Sequence, residues 1–250
     1  MIVDANAHLG PSLHPDHGFE HASTIDALLA RMEAAGIDRA VVSPLTPPSL
    51  DLDAANRRLA ETIADRDAFI GIARVDPRVS GCAERARRAL ADDGLRGLKL
   101  HPGEEFLAIG DPRIESLLDV AGTRGVPVWI HAGRQGVADA LAIRDLALKF
   151  PSVPIVVIHA AQRNVSGLGV PDALLLAQQT GNTYFETSGV YRQDLIRDLV
   201  ETVGPERVVF GTNAPYFDPR LEITRITRST LDPAIQSAVL QNIAQLVGSG

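Results

Sequence analysis

Leu95-Arg96-Gly97-Leu98-Lys99-Leu100-His101, Val126-Pro127-Val128-Trp129-Ile130-His131 and Pro154-Ile155-Val156-Val157-Ile158-His159 are three short, largely apolar runs, each ending in a histidine. Between them lie longer stretches of helical period, from about Pro112 to Arg124 and from Val137 to Phe150. Strands that alternate with helices in this way predict parallel pairing through helical crossovers.

The alternation extends in both directions. Upstream, strands at Ile2 to His8, Arg39 to Ser43 and Phe69 to Val75 precede helices at Ser23 to Ala35, Asp53 to Arg66 and Cys82 to Asp92. Ser23 or Thr24 caps the first of these helices and Gly36 ends it. Downstream come a helix at Pro171 to Thr180, a strand at Thr183 to Ser188, a helix at Arg192 to Val203 and a strand at Arg207 to Gly211. Two more helical segments lie near Leu221 to Ser229 and Pro233 to Val247. Eight strands alternating with helices predict an α/β protein, a (β/α)8 TIM barrel. A doubly wound sheet would carry a phosphate-binding glycine fingerprint after its first strand, and Asn6-Ala7-His8-Leu9-Gly10 is not one. No linker or low-complexity tract interrupts the pattern, so a single domain over residues 1–250 is expected. The polar segment from Gly10 to His21 reads as a loop at the barrel mouth and a partial lid.

Composition narrows the partners. Of 250 residues, 45% are hydrophobic, and 24 Lys plus Arg face 31 Asp plus Glu, a formal net charge of -7. The basic residues are scattered, which argues against nucleic acid. No apolar run is long enough to span a membrane, no export signal opens the chain, and the lone Cys82 excludes a disulfide framework, so a cytoplasmic protein is expected. A small molecule is the implied partner, with homo-oligomer formation left open. Only two of the basic residues are lysines, Lys99 and Lys149.

In a barrel the chemistry lies at the C-terminal ends of the strands. His8, His101, His131 and His159 end predicted strands, His14, His17 and His21 lie in the loop after the first, and none falls in a predicted helix. Imidazoles gathered at one mouth suit a metal site or acid/base chemistry.

Several of these segments carry a family resemblance. Asp4-Ala5-Asn6-Ala7-His8 resembles the Asp-x-His-x-His opening of the amidohydrolase superfamily, in its amidohydrolase-related branch of decarboxylases, hydratases and lactonases. Gly97-Leu98-Lys99-Leu100-His101-Pro102, His131-Ala132-Gly133, His159-Ala160 and Glu186-Thr187-Ser188-Gly189 fit the later motifs, in order. Gly211-Thr212-Asn213-Ala214-Pro215 resembles the Gly-[Ser/Thr]-Asp-x-Pro motif of strand eight, and Asn242-Ile243-Ala244-Gln245-Leu246 resembles the closing helix. The resemblance implies a divalent metal, zinc for instance, held by both histidines of the opening, the strand-five histidine and the strand-eight aspartate. Here Asn6 and Asn213 stand at two of those positions. A neutral amide is a poor zinc ligand, and Asn213 cannot take a proton from water. His8, His131 and His159 remain as a three-imidazole set for a metal, or as a metal-free pocket.

Each candidate also has a plainer role. His8, His131 and His159 would otherwise be core histidines satisfied by carbonyls. Lys99 is a surface residue if the register slips by one. If it points inward, it anchors an anionic group or attacks a carbonyl as a Schiff-base amine, and the family resemblance adds a carboxylated lysine that bridges two metals. Arg134 clamps a carboxylate or caps a loop, and His101 shares the face of Lys99 unless Pro102 carries the chain away. Glu104, Glu105 and Glu186 are the nearest acids, and Glu186 would pair with Lys99 if it faces inward. Trp129 and Ile130 read as packing, and Cys82 as remote from the site.

The expected function is an enzyme acting on a small carboxylate-bearing molecule, as a lactone or amide hydrolase or as a lyase such as a decarboxylase or hydratase. His159, His131 and Lys99 are the expected catalytic residues, with Asn6, His101, Arg134 and Asn213 binding substrate. The alternative is a non-catalytic barrel that binds a small ligand or a partner protein.

Overall fold

The computed structural model describes residues 1–10, 23–45, 51–162 and 168–248. The expected lid, with His14, His17 and His21, lies outside the described residues.

The strands are β1 (Val3–Leu9), β2 (Arg39–Pro44), β3 (Phe69–Gly71), β4 (Ala73–Arg74), β5 (Leu98–Leu100), β6 (Val128–His131), β7 (Ile155–Ile158), β8 (Thr183–Glu186) and β9 (Val208–Val209). All the pairings between them are parallel and sequential. β3 and β4 are halves of one barrel strand: the Ile72 N–H still donates to Val42 O, whereas the Ala73 N–H donates to Gly97 O. The ring closes between the first and last strands, where Ala5 N–H donates to Phe210 O at 2.8 Å and His8 N–H to Ala214 O at 2.9 Å. The protein is thus a (β/α)8 barrel.

The helices are α1 (Ile25–Ala35), α2 (Leu52–Ile63), α3 (Cys82–Ala91), α4 (Pro112–Arg124), α5 (Ala140–Lys149), α6 (Val170–Gln179), α7 (Gln193–Val203), α8 (Pro219–Thr227), α9 (Pro233–Val239) and α10 (Ile243–Val247). Thr24 caps α1 by accepting from Ala27 N, and Gly36 ends it in the left-handed conformation. Asp-Pro pairs start α4, α8 and α9, the aspartate accepting an orphan N–H and the proline filling a first-turn position that needs no donor. α5 begins later than the expected Val137, because Arg134 and Ala138 form a bridge and Asp139 caps the helix. The expected single helix over Pro233 to Val247 is two. The carbonyls of Val239 and Leu240 accept from Phe210 N–H and Val3 N–H instead of continuing the helix.

Side chains alternate between the two faces of the barrel wall. Outward residues such as Leu98, Leu100, Val128, Ile130, Ile155, Val157 and Phe185 form the main core with the helices. Inward residues Val3, Ala5, Val41, Ile70, Ile72, Trp129, Val156, Ile158 and Val209 fill the barrel floor, closed by Ile243 and Val247 of α10. Trp129 spans this floor and donates its indole N–H to Ala5 O at 2.9 Å. Gly97 makes room for it, since a Cβ there would stand 2.6 Å from the indole. Trp129 and Ile130 are therefore packing residues, as the sequence suggests.

Candidate active site

β1 changes parity partway along. Val3 and Ala5 belong to the floor, whereas Ala7 faces the helices. The β1–β2 register shifts between Asp4 and Ala7, a bulge that turns Asn6 and His8 inward as well. Buried Asp4 holds this bend, accepting from Asn6 N and Thr212 N, each at 2.9 Å. Burial pushes Asp4 up to about 6 despite these bonds and the one from the Thr212 hydroxyl.

Lys99 alternates with the outward Leu98 and Leu100 and so enters the barrel, 1% exposed. Its Nζ lies 2.9 Å from Asn6 Oδ1 and 2.7 Å from His8 Nε2. The other ring nitrogen of His8 faces Ala214 O at 3.0 Å. A carbonyl only accepts, so His8 carries its proton on Nδ1 and offers a lone pair to Lys99 from Nε2. Asn6 spends its amide protons on Asn213 Oδ1 at 3.3 Å and Ser188 Oγ at 3.5 Å, which leaves its oxygen for the lysine. Burial, then the charge of Arg74, pull Lys99 down to about 7. Burial and the charge of Lys99 lower His8 well below the usual histidine range, so it is neutral.

The remaining histidines line the same mouth. The rings of His101 and His131 stack with centroids 3.9 Å apart, and His131 meets His159 edge-on at 4.7 Å. Pro102 therefore does not carry His101 away from the cluster. Burial lowers His101 to about 3. His159 closes β7 in a left-handed turn: His159, Ala160 and Ala161 have φ of 60°, 47° and 58°, a strained run for residues other than glycine. Its Nδ1 faces Ser188 O at 2.6 Å, which fixes the orientation of the ring.

Glu186 secures this turn. Its carboxylate accepts from His159 N at 3.1 Å, Ser188 N at 2.5 Å and Ser188 Oγ at 2.8 Å. Glu186 faces inward, the condition under which it would pair with Lys99; among the described residues the two share charge interaction but no hydrogen bond, since those three donors take up the carboxylate. Burial raises Glu186 to about 7 against its hydrogen bonds. Gly211 is needed here, since a Cβ would lie 2.1 Å from Glu186 Oε1.

Arg74 escapes notice in the sequence. It is buried on β4 and pairs with Glu104 at 2.6 Å, while Glu104 also lies 3.5 Å from His101 Nε2. Its position after outward Ala73 was the available signal. Glu105 is fully buried and accepts from His101 N at 2.9 Å; burial raises it to about 8. Arg134 is exposed at the rim, with its guanidinium 3.4 Å from Gly103 O. Cys82 sits on α3, 3.8 Å from Ser116 Oγ on α4, away from the mouth.

The donor set does not fit the implied metal. His8 directs one nitrogen at a carbonyl and the other at Lys99, and the oxygen of Asn6 faces that same Lys99 nitrogen. The expected three-histidine ligand set is not assembled: among the described residues no group of three or more His, Cys, Asp or Glu is placed to hold a metal ion. The lysine nitrogen fills the space that Asn6 and His8 enclose.

The amidohydrolase family profile matches residues 4–244. No curated protein matches the chain. Among solved structures, 5-carboxyvanillate decarboxylase from Sphingomonas paucimobilis is similar with a TM-score of 0.75 and 17% identity, over 98% of each chain. An amidohydrolase from Burkholderia multivorans with bound HEPES aligns with a TM-score of 0.80 and 16% identity over 99% of each chain. A dihydroxybenzoic acid decarboxylase from Polaromonas sp. JS666, with bound manganese and 2-nitroresorcinol, aligns with a TM-score of 0.75 and 17% identity, over 98% of this chain and 96% of that one. These likenesses show the barrel, and the profile shows the family: the chain belongs to the amidohydrolase family.

Proposed function

We propose that this member of the amidohydrolase family is an enzyme acting on a small carboxylate-bearing organic molecule, with Lys99 meeting an electron-rich oxygen of the substrate and His159 moving the proton. The observation that carries the reading is the buried nitrogen of Lys99, fixed between Asn6 Oδ1 and His8 Nε2 at the strand ends. A cation held in a low-dielectric site polarises a carbonyl or steadies a developing oxyanion without reorganising. His159, oriented through Nδ1, presents Nε2 as acid or base, with His131 against its ring. Two reaction classes suit this arrangement: hydrolysis of a lactone or amide, and a lyase step such as decarboxylation. The decarboxylases among the similar structures favour the second. Arg134 at the rim suits the substrate carboxylate. Asn6 and Asn213 are bonded to each other, and their role is to hold Lys99 rather than to touch substrate.

A turnover screen over small aromatic and aliphatic carboxylic acids, lactones and amides tests the reading. Turnover of at least one compound is expected, lost in both His159→Ala and Lys99→Ala. Full turnover in either variant overturns the assigned roles. Binding without turnover across the whole screen would establish the barrel as a non-catalytic binder.

A further inference from the structure

Lys99 has two hydrogen-bond partners among the described residues, and both are acceptors: Asn6 Oδ1, and His8 Nε2 with its proton fixed on the far nitrogen by Ala214 O. A neutral amine keeps two protons. With one donated to each acceptor, its lone pair points away from both, where the third proton of an ammonium would stand. The two contacts thus orient a nucleophile.

We propose that Lys99, as the neutral amine, forms a covalent imine with the ketone carbon of an oxo acid, which makes the protein a Schiff-base lyase; this rests on the reading above that the site handles small carboxylates, and gives Lys99 a covalent role in place of the charged one described there. The Nζ lone pair adds to the ketone carbon and the C=O π pair moves to oxygen, which takes a proton. One Nζ proton is released, and a further proton on the hydroxyl lets it leave as water. The product is a protonated imine, so the net change is amine plus ketone plus one proton giving iminium plus water. If the substrate is a 3-oxo acid, the C–COO⁻ bond breaks, its electron pair runs to the iminium nitrogen, and carbon dioxide leaves. The enamine carbon then takes a proton, and water hydrolyses the imine to release ketone and amine. No oxidant or reductant is needed.

Other features agree. His159, whose ring is held through Nδ1 by Ser188 O, lies at the same mouth. The Arg134 guanidinium and the His101 ring flank Gly103, 3.5 and 3.7 Å from where its Cβ would stand, so the rim offers a cation for the acid's carboxylate.

The scarcity of lysine makes the test clean, because Lys149 is the only other one and lies on the surface, paired with Glu115 at 2.6 Å. The intact protein is incubated with pyruvate, 2-oxoglutarate or acetoacetate and sodium cyanoborohydride, which delivers hydride to the iminium carbon, and is then weighed and mapped by mass spectrometry. In parallel, calorimetry measures binding of lactate, 2-hydroxyglutarate and 3-hydroxybutyrate, which cannot form an imine. The expected result is a single reduced adduct on Lys99 with at least one oxo acid, absent from Lys99→Arg. No adduct on Lys99, or labelling confined to Lys149 or the N-terminus, overturns the imine. If the hydroxy acids still bind in that case, the carboxylate reading stands; if they do not, both fall.

Discussion

The two ends of the barrel interior are built from the same strands and differ in nearly everything else. On β6, Trp129 fills the floor and His131, two residues on, lies in the histidine cluster. On β7, Ile158 is floor and His159 is site; on β1, Ala5 is floor and Asn6 is site. The floor is held by apolar volume, whereas the mouth is held by directed bonds on buried polar groups that burial penalises. Stability therefore belongs to one end and the proposed chemistry to the other. Substitutions at the two ends should separate turnover from folding.

The largest effect is expected from Lys99→Met, which keeps the side chain's bulk and removes its nitrogen. Turnover on a substrate found by the screen should fall by about 10³-fold. The thermal midpoint should move by only about a few degrees, since removal of a desolvated amine offsets the two acceptors left behind. Next is Trp129→Ala at the floor, expected to cost about 3–5 kcal/mol in denaturant unfolding. Mouth geometry should survive where the protein remains folded, so kcat should change much less than stability.

Much of this division was legible in the sequence, and the reason is periodicity. Alternation placed Lys99 between Leu98 and Leu100, and strand-end histidines placed the mouth. What escaped depended on tertiary detail. The parity change at Asn6 comes from a bulge held by Asp4 and Thr212, more than 200 residues apart in sequence, and no local pattern reports it. The hydrogen-bond partners of Glu186 were not legible, because its face was visible but the left-handed turn at His159, whose N–H it captures, was not. Among the described residues the three-histidine metal set is not found, for a related reason: residue types show that imidazoles converge, but only coordinates show where each nitrogen points. The late start of α5 and the break between α9 and α10 depend on caps and on carbonyls claimed by the barrel ends.

A third test uses pH. Burial holds Glu105 at about 8 in the folded protein against 4.5 for the ordinary group. The folded state therefore binds more protons in that interval, and the Glu105 contribution, present below about pH 4.5, is lost as pH rises to about 8. Lys99 acts in the opposite sense: its folded value near 7, against 10.5, gives a contribution that grows as pH rises from about 7 and is lost on the way back down. In denaturant melts across pH 4–10, Glu105→Gln should flatten the fall on the acid side and Lys99→Met the rise on the alkaline side, each by at most ~1.4 kcal/mol per pH unit. Unchanged slopes in both variants would mean that the mouth is as well solvated as the surface. The smallest effect is expected from Arg134→Ala at the exposed rim, about a 3- to 30-fold rise in KM with kcat nearly unchanged.

The account rests on a buried lysine nitrogen fixed between Asn6 and His8, and a chain with two lysines allows it to be observed directly. Protein labelled with ¹³C at lysine Cε, titrated by NMR, should show one of two signals moving with a midpoint near 7 and missing from Lys99→Arg. Two signals that both stay fixed until about pH 9 or above would contradict it, placing Lys99 in water with the charge of an ordinary surface residue.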